Sequence, residues 1–331
     1  MSTEDISGTI ALALDATLQI PTKRNDGKFR ILSLDGGGSK GFYTLGVLRE
    51  IEAALGCRIC EHFDLVYGTS TGAIIASLIT LGRTIDEIHS LYKLHVPTVM
   101  SVKKASEKSA ALAALAQTLF EDAHFTDVKT GIGIVATRWA TEKPMIFKAS
   151  VAQAHGRPDT FVPGFGVKIG DAVQASCSAM PFFDRKLIET STGDQIELID
   201  GGFCANNPTL YAIADAIHAM KRSPEDLRVV SVGVGVYPEP KPSWKMYFAK
   251  RYLVSVQLLQ KTLEINTQSM DQLRRVMFKN IKTVRVSDTF ERPEMACEFM
   301  EYNLGKLNML RQQGSESYAK IESEIRECLF N

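Results

Sequence analysis

Phe63-Asp-Leu-Val-Tyr-Gly-Thr-Ser-Thr-Gly72 decides how this chain folds: an apolar run stops at a glycine-framed turn, and a helical pattern starts directly behind it. Phe63 to Tyr67 reads as a buried strand, and the apolar stretch Thr71 to Leu81 as a helix. The same unit stands upstream. Phe29-Arg-Ile-Leu-Ser-Leu34 runs into Asp35-Gly-Gly-Gly-Ser-Lys-Gly41, after which Leu45, Leu48, Ile51, Ala54 and Leu55 recur at helical spacing. Gly131 to Ala136, Met145 to Lys148, Ile196 to Ile199 and Val229 to Val236 are expected as further strands, and Asp171 to Ser176 and Thr209 to Met220 as short helices. Strands alternating with helices predict a three-layer α/β/α fold around a mostly parallel central sheet.

The chain has 331 residues, room for one large α/β domain or two small ones. Its 38 basic and 38 acidic residues cancel. A dedicated nucleic-acid binder needs a basic surplus to neutralise phosphates, so no nucleic-acid partner is expected. Met1 to Gly8 carries Glu4 and Asp5 without Lys or Arg, the wrong charge for a secretory signal. The longest apolar runs, Ala73 to Leu81 and Ala110 to Leu115, fall far short of the ~20 residues that span a bilayer. Six cysteines are too sparse for a disulfide scaffold, and Cys57-Arg-Ile-Cys60 has no second pair at zinc-site spacing. A reduced, cytoplasmic protein is the expectation. Residues 1–28 read as a lead-in, 29–240 as the catalytic domain and 241–331 as a helical C-terminal part packed on it. In that last part Trp244, Tyr247, Phe248 and Tyr252 are followed by Leu259, Leu263, Met270, Leu273 and Met277 at helical intervals.

Gly68-Thr-Ser70-Thr-Gly72 fits G-x-S-x-G between strand and helix, the setting of a nucleophile elbow. The flanking glycines permit a sharp turn that projects the Ser70 hydroxyl, and the helix's positive end stabilises nearby negative charge. Gly36-x-Gly38-x-x-Gly41 formally fits a dinucleotide fingerprint. Against that, Asp35 would repel a pyrophosphate, and Glu61, near the expected acidic position, precedes a strand instead of ending one. A Walker loop would need Lys where Phe42 stands. Consecutive glycine amides suit equally well a second use, as donors to the oxyanion of an acyl-transfer intermediate. Asp200, leaving the run Ile196 to Ile199 into Gly201-Gly202, offers a carboxylate fixed at the edge of the sheet. None of His62, His89, His95, His124, His155 and His218 sits at a comparable strand-end turn, so a Ser–Asp dyad is the simpler reading.

Together these segments resemble the patatin-like phospholipase family, with its D-G-G-G-x-[RK]-G loop, G-x-S-x-G elbow and D-G-[GA] aspartate. Ala175-Ser-Cys-Ser-Ala-Met-Pro181 and Ala205-Asn-Asn-Pro208 extend the resemblance, which covers about Phe29 to Val236. It implies Ser70 as nucleophile, Asp200 as base and Gly36, Gly37 and Gly38 as the oxyanion region. Lys40, where the family often has Arg, otherwise reads as a solvated charge near a helix start. The implied reaction is hydrolysis of acyl esters in membrane phospholipids or lysophospholipids, with no metal or other cofactor. The chain is also similar to bacterial effectors of anti-phage signalling in which a cyclic di- or trinucleotide switches on lipase activity at the membrane surface. A non-lipid serine esterase or acyltransferase, and a nucleotide-binding regulatory protein without catalysis, are the competing readings.

Overall fold

In the computed structural model, which describes residues 26–238 and 250–331 (side chains from 258 in the second stretch), β1 (Phe29–Leu34) lies at the centre of the sheet. The expectations for residues 1–25 and for Trp244, Tyr247, Phe248 and the Tyr252 side chain lie outside the described residues. β1 is buried along its whole length, as a parallel strand covered on both faces must be. Leu32 and Leu34 join one core cluster and Phe29 and Ile31 the other, the two-residue alternation of a strand. β1 pairs in parallel with β2 (Leu65–Thr69) and β7 (Leu227–Val232), β2 with β3 (Gly131–Arg138), and β7 with β8 (Lys282–Val286). β4 (Pro144–Lys148) and β6 (Gln195–Asp200) run antiparallel to β3, and β5 (Lys186–Glu189) antiparallel to β6. The eight-stranded sheet is mostly parallel and has helices on both faces.

One detail of register positions everything that follows. β4 pairs with β3 over Gly133–Thr137, overlapping both the β2 partners (Gly131–Val135) and the β6 partners (Ala136–Arg138). A strand has two edges, so β2 and β6 share the edge that β4 leaves open. They meet end to end with their C-termini facing. Thr69 stands opposite Val135 and Asp200 opposite Ala136, so the residue after Thr69 comes level with Asp200. Asp200 reaches the carboxyl end of the parallel strands by entering from beyond it, on an antiparallel strand.

Numbering helices of six or more residues, α1 (Gly41–Leu55) and α2 (Thr71–Thr80) follow β1 and β2 as the spacing predicts. α3 (Ile85–Ser101) starts on a capping box: the Thr84 hydroxyl accepts from Glu87 N–H, and the Glu87 carboxylate accepts from Thr84 N–H. α4 (Ala105–Phe120) and α5 (Ile169–Ser176) cover the same face. α6 (Thr209–Ala214) continues as a π-helix over Asp215–Ala219, nearly the expected extent, and that wider turn buries Asp215 among Tyr67, Lys148, Gln153 and His155. Residues 241–331, expected to be helical, contribute β8 as well as α7 (Lys250–Met277), α8 (Leu304–Lys320) and α9 (Glu322–Phe330). α8 packs tightly on α1 because Gly46 and Gly314 lack side chains. A Cβ on either would stand 2.0–2.1 Å from a carbonyl oxygen of the partner helix. No helix among the described residues is long and apolar enough to cross a membrane.

Candidate active site

Ser70 has φ 54° and ψ −122°, in the left-handed region that non-glycine residues rarely adopt. Such backbone costs of order 1–3 kcal/mol and persists only where its surroundings impose it. Here the surroundings are close-packed backbone: a Cβ on Gly68 would sit 2.3 Å from Gly72 O, and one on Gly72 would sit 2.3 Å from Leu34 O. Only glycine fits at either position. The turn is also tied from outside, since Ser70 N–H donates to Ser176 Oγ at 2.8 Å, and that hydroxyl donates to Val135 O at 2.6 Å. Ser176 belongs to the Ala175–Pro181 stretch, which the sequence marked without assigning it a task.

Asp200 is buried, with 1% of its surface exposed. Its Oδ1 accepts from Gly202 N–H at 2.6 Å, and its own N–H donates to Ser178 O. Its Oδ2 is buried without a hydrogen-bond partner among the described residues. Burial drives this carboxyl up to about 7, against the downward pull of the Gly202 amide and the Ser70 hydroxyl. No histidine is hydrogen-bonded to Ser70 or Asp200 among the described residues. His155 binds Asp215, His62 packs on Phe63 and Phe330, and His89 packs on Phe42.

The three glycines divide their tasks. Gly36 docks the loop: its N–H donates to Asn206 O at 3.0 Å and its carbonyl accepts from Asn206 Nδ2 at 3.2 Å. A Cβ there would meet Ser70 Cβ at 3.2 Å, which places the loop directly against the serine. Of the expected oxyanion region Gly36, Gly37 and Gly38, the Gly36 amide is committed to Asn206, whereas the amides of Gly37 and Gly38 meet no protein acceptor among the described residues. Gly38 has φ 57°, where glycine is favoured. Asp35, whose carboxylate is expected to repel a pyrophosphate at the loop, is paired with Arg285 of β8, whose Nη1 donates to Oδ1 at 2.9 Å. Lys40 does not match the alternative of a solvated charge near a helix start. It is half-buried with Nζ 5.3 Å from the Tyr237 ring centroid, and desolvation lowers its pKa.

Ser70 and Gly38 open onto a cavity of about 480 Å³, otherwise lined mainly by apolar side chains including Ile74, Val99, Leu112, Leu115 and Phe183. An apolar slot beside a hydroxyl, a buried carboxylate and unpaired amides suits acyl transfer from an ester with a long hydrocarbon chain. A second cavity, of about 800 Å³, lies on the other side of the glycine loop against α7.

A family model described as patatin-like phospholipase matches residues 32–213, a span that includes the glycine loop, the elbow and the Asp200 turn. A protein of Escherichia coli named cUMP-AMP-activated phospholipase is 65% identical over 306 residues, covering 92% of this chain and 95% of that one. Two proteins named cGAMP-activated phospholipase, from E. coli strain TW11681 and Vibrio cholerae serotype O1, are 28% and 26% identical. Each match covers 62% of this chain, and 62% and 63% of the relatives respectively.

Proposed function

The chain belongs to the patatin-like phospholipase family, and on that premise we propose that Ser70 and Asp200 form the dyad of a phospholipid acyl hydrolase switched on by a cyclic dinucleotide. The observation that carries the dyad is the end-to-end meeting of β2 and β6, which sets the strained Ser70 level with the buried Asp200. As Ser70 Oγ attacks the ester carbonyl, its proton passes to the Asp200 carboxylate. The Gly37 and Gly38 amides and the N-terminus of α2 hold the oxyanion. Collapse of the tetrahedral intermediate expels the lysolipid alkoxide, which takes the proton from Asp200. Water, deprotonated by the same carboxylate, then releases the fatty acid and restores Ser70. The apolar cavity accommodates the acyl chain.

The activator reading is supported by 65% identity along nearly the whole of a relative named for activation by cUMP-AMP. The enzyme then works at the membrane surface, where its substrate lies. Purified protein incubated with mixed phospholipid vesicles is expected to release fatty acid in the presence of cUMP-AMP and far less without it. Hydrolysis of short soluble esters but never of vesicles would select a non-lipid esterase. Nucleotide binding with no ester hydrolysis of any kind would select a regulatory protein.

The pKa of Asp200 adds a pH prediction. The base must be ionised, so kcat/KM is expected to rise with pH and to reach half its plateau near pH 7. A profile flat from pH 5 to 9 counts against Asp200 as the base. The stability effect has the opposite sign. Between the ordinary carboxyl value of 3.8 and about 7, the folded state holds a proton that the unfolded state has lost, so this residue's contribution to stability falls as pH rises. Asp200→Asn is therefore expected to melt higher than wild type at pH 8, where the native carboxylate is charged and buried.

A further inference from the structure

Neither Ser70 nor Asp200 lines the 800 Å³ cavity, although Gly37 of the glycine loop does. Its walls come from the glycine loop, the segment Val234–Pro238, β8 and α7. Three polar groups on those walls lack protein partners among the described residues. Among the described residues Lys40 Nζ makes no hydrogen bond or ion pair; it stands over the face of Tyr237, with Cys297, Glu264 and Lys261 close enough to act on its charge. Tyr237 Oη and Asn206 Oδ1 are buried and unbonded, on residues only 9% and 6% exposed. Leaving such groups unpaired away from water costs stability, so a cavity that gathers a cation, a hydroxyl and an acceptor points to a ligand that completes them. The complementary chemistry is an anionic oxygen for Lys40 and Tyr237 with an N–H for Asn206. A phosphodiester that carries a nucleobase edge supplies both.

We propose that this cavity is the seat of a cyclic dinucleotide, and that its occupation is passed through Asn206 to the glycine loop and the Asp200 turn. The proposal rests on the activator reading above. Asn206 is the brace between the parts. Its N–H donates to Asn266 Oδ1 of α7 at 2.9 Å, its Nδ2 donates to Thr267 Oγ1 at 2.7 Å, and its carbonyl accepts from Gly36 N–H. It lies four residues beyond Gly202, whose N–H holds Asp200. α7 bears on that turn directly, because a Cβ on Gly202 would stand 2.8 Å from Leu263. A ligand shifts a conformational equilibrium only through contacts that differ between the states. One seated here touches Lys261 and Gln268 of α7 and Lys40 at the end of the glycine loop together, so its affinity depends on how those two elements stand to each other.

The test is calorimetric titration of the full chain with cUMP-AMP and, in a separate arm, with glycerophosphoethanolamine, the soluble phosphodiester of a lipid headgroup. Lys40→Met and the milder Tyr237→Phe are compared with wild type, and Lys104→Met, at an exposed position, serves as control. cUMP-AMP binding is expected to weaken at least about tenfold in Lys40→Met and severalfold in Tyr237→Phe, with the control unchanged. Asn266→Ala, outside the cavity, is expected to bind the nucleotide as wild type does yet lose its stimulation of fatty-acid release. Full stimulation in Asn266→Ala overturns the route through Asn206. Binding undiminished in both Lys40→Met and Tyr237→Phe overturns the placement and leaves activation itself standing. No nucleotide binding by wild type overturns the proposal and the activator reading together. Glycerophosphoethanolamine binding that is lost in Lys40→Met assigns the cavity to the lipid headgroup instead.

Discussion

Asp200→Asn is expected to lower kcat roughly 10²–10⁴-fold, the usual contribution of a positioned general base, and Ser70→Ala, which removes the nucleophile, to lower hydrolysis at least as far. Both variants should fold. Ser70→Ala removes one oxygen from a turn whose shape is imposed by Gly68, Gly72 and Ser176. Asp200→Asn keeps an oxygen for the Gly202 amide while replacing the buried, unpartnered Oδ2 by a group that cannot take a proton. The measurement is fatty-acid release from vesicles under activating conditions, with a melting curve for each variant. A loss smaller than tenfold in folded Asp200→Asn removes it from the role of base. If His→Gln at one of the six histidine positions stops catalysis in a folded protein, a Ser–His pair replaces the dyad.

Gly37→Ala is expected to lower turnover by about 10²–10³, the effect of losing one oxyanion donor. The cause is specific to this packing. A Cβ on Gly37 would meet Val234 Cγ2 at 2.6 Å, on the side of the loop away from the acyl slot. The methyl group therefore displaces the loop, swinging its amide off the oxyanion, and does not collide with substrate. The loss should fall on kcat with KM little changed, because the charge that the amide meets exists only in the transition state. The double variant Gly37→Ala/Val234→Ala should recover part of the lost rate by restoring room. A raised KM with unchanged kcat in Gly37→Ala sinks the oxyanion assignment.

How much of the site could be read beforehand depended on how local its causes are. The elbow was legible because a glycine-framed serine between an apolar run and a helical pattern is a short-range steric statement. The glycine loop was legible as a donor array, but the commitment of one amide was not. That depends on Asn206, 170 positions from Gly36. Arg285 was missed as the partner of Asp35, 250 positions away, since nothing near it in sequence distinguishes it from other arginines. Ser176 carried a signal, its place in Ala175-Ser-Cys-Ser-Ala-Met-Pro181, without any indication that its hydroxyl holds the elbow.

The amino-acid sequence by itself determined the two leading strand–turn–helix units, the parallel core they imply, and the residue types proposed for the chemistry. Those follow from side-chain periodicity and from the steric freedom of glycine, which act over a few residues. Only the tertiary structure decided that β6 runs antiparallel and ends against β2, because the place where β6 can pair is set by the stretch of β3 edge left open by β4 and β2. It alone decided that Asp200 is dry enough to keep its proton up to about pH 7, since burial is a property of everything packed around a group. And it alone brought α7 and Lys40 to opposite walls of one cavity, more than 200 positions apart in the chain, a juxtaposition that no local pattern encodes.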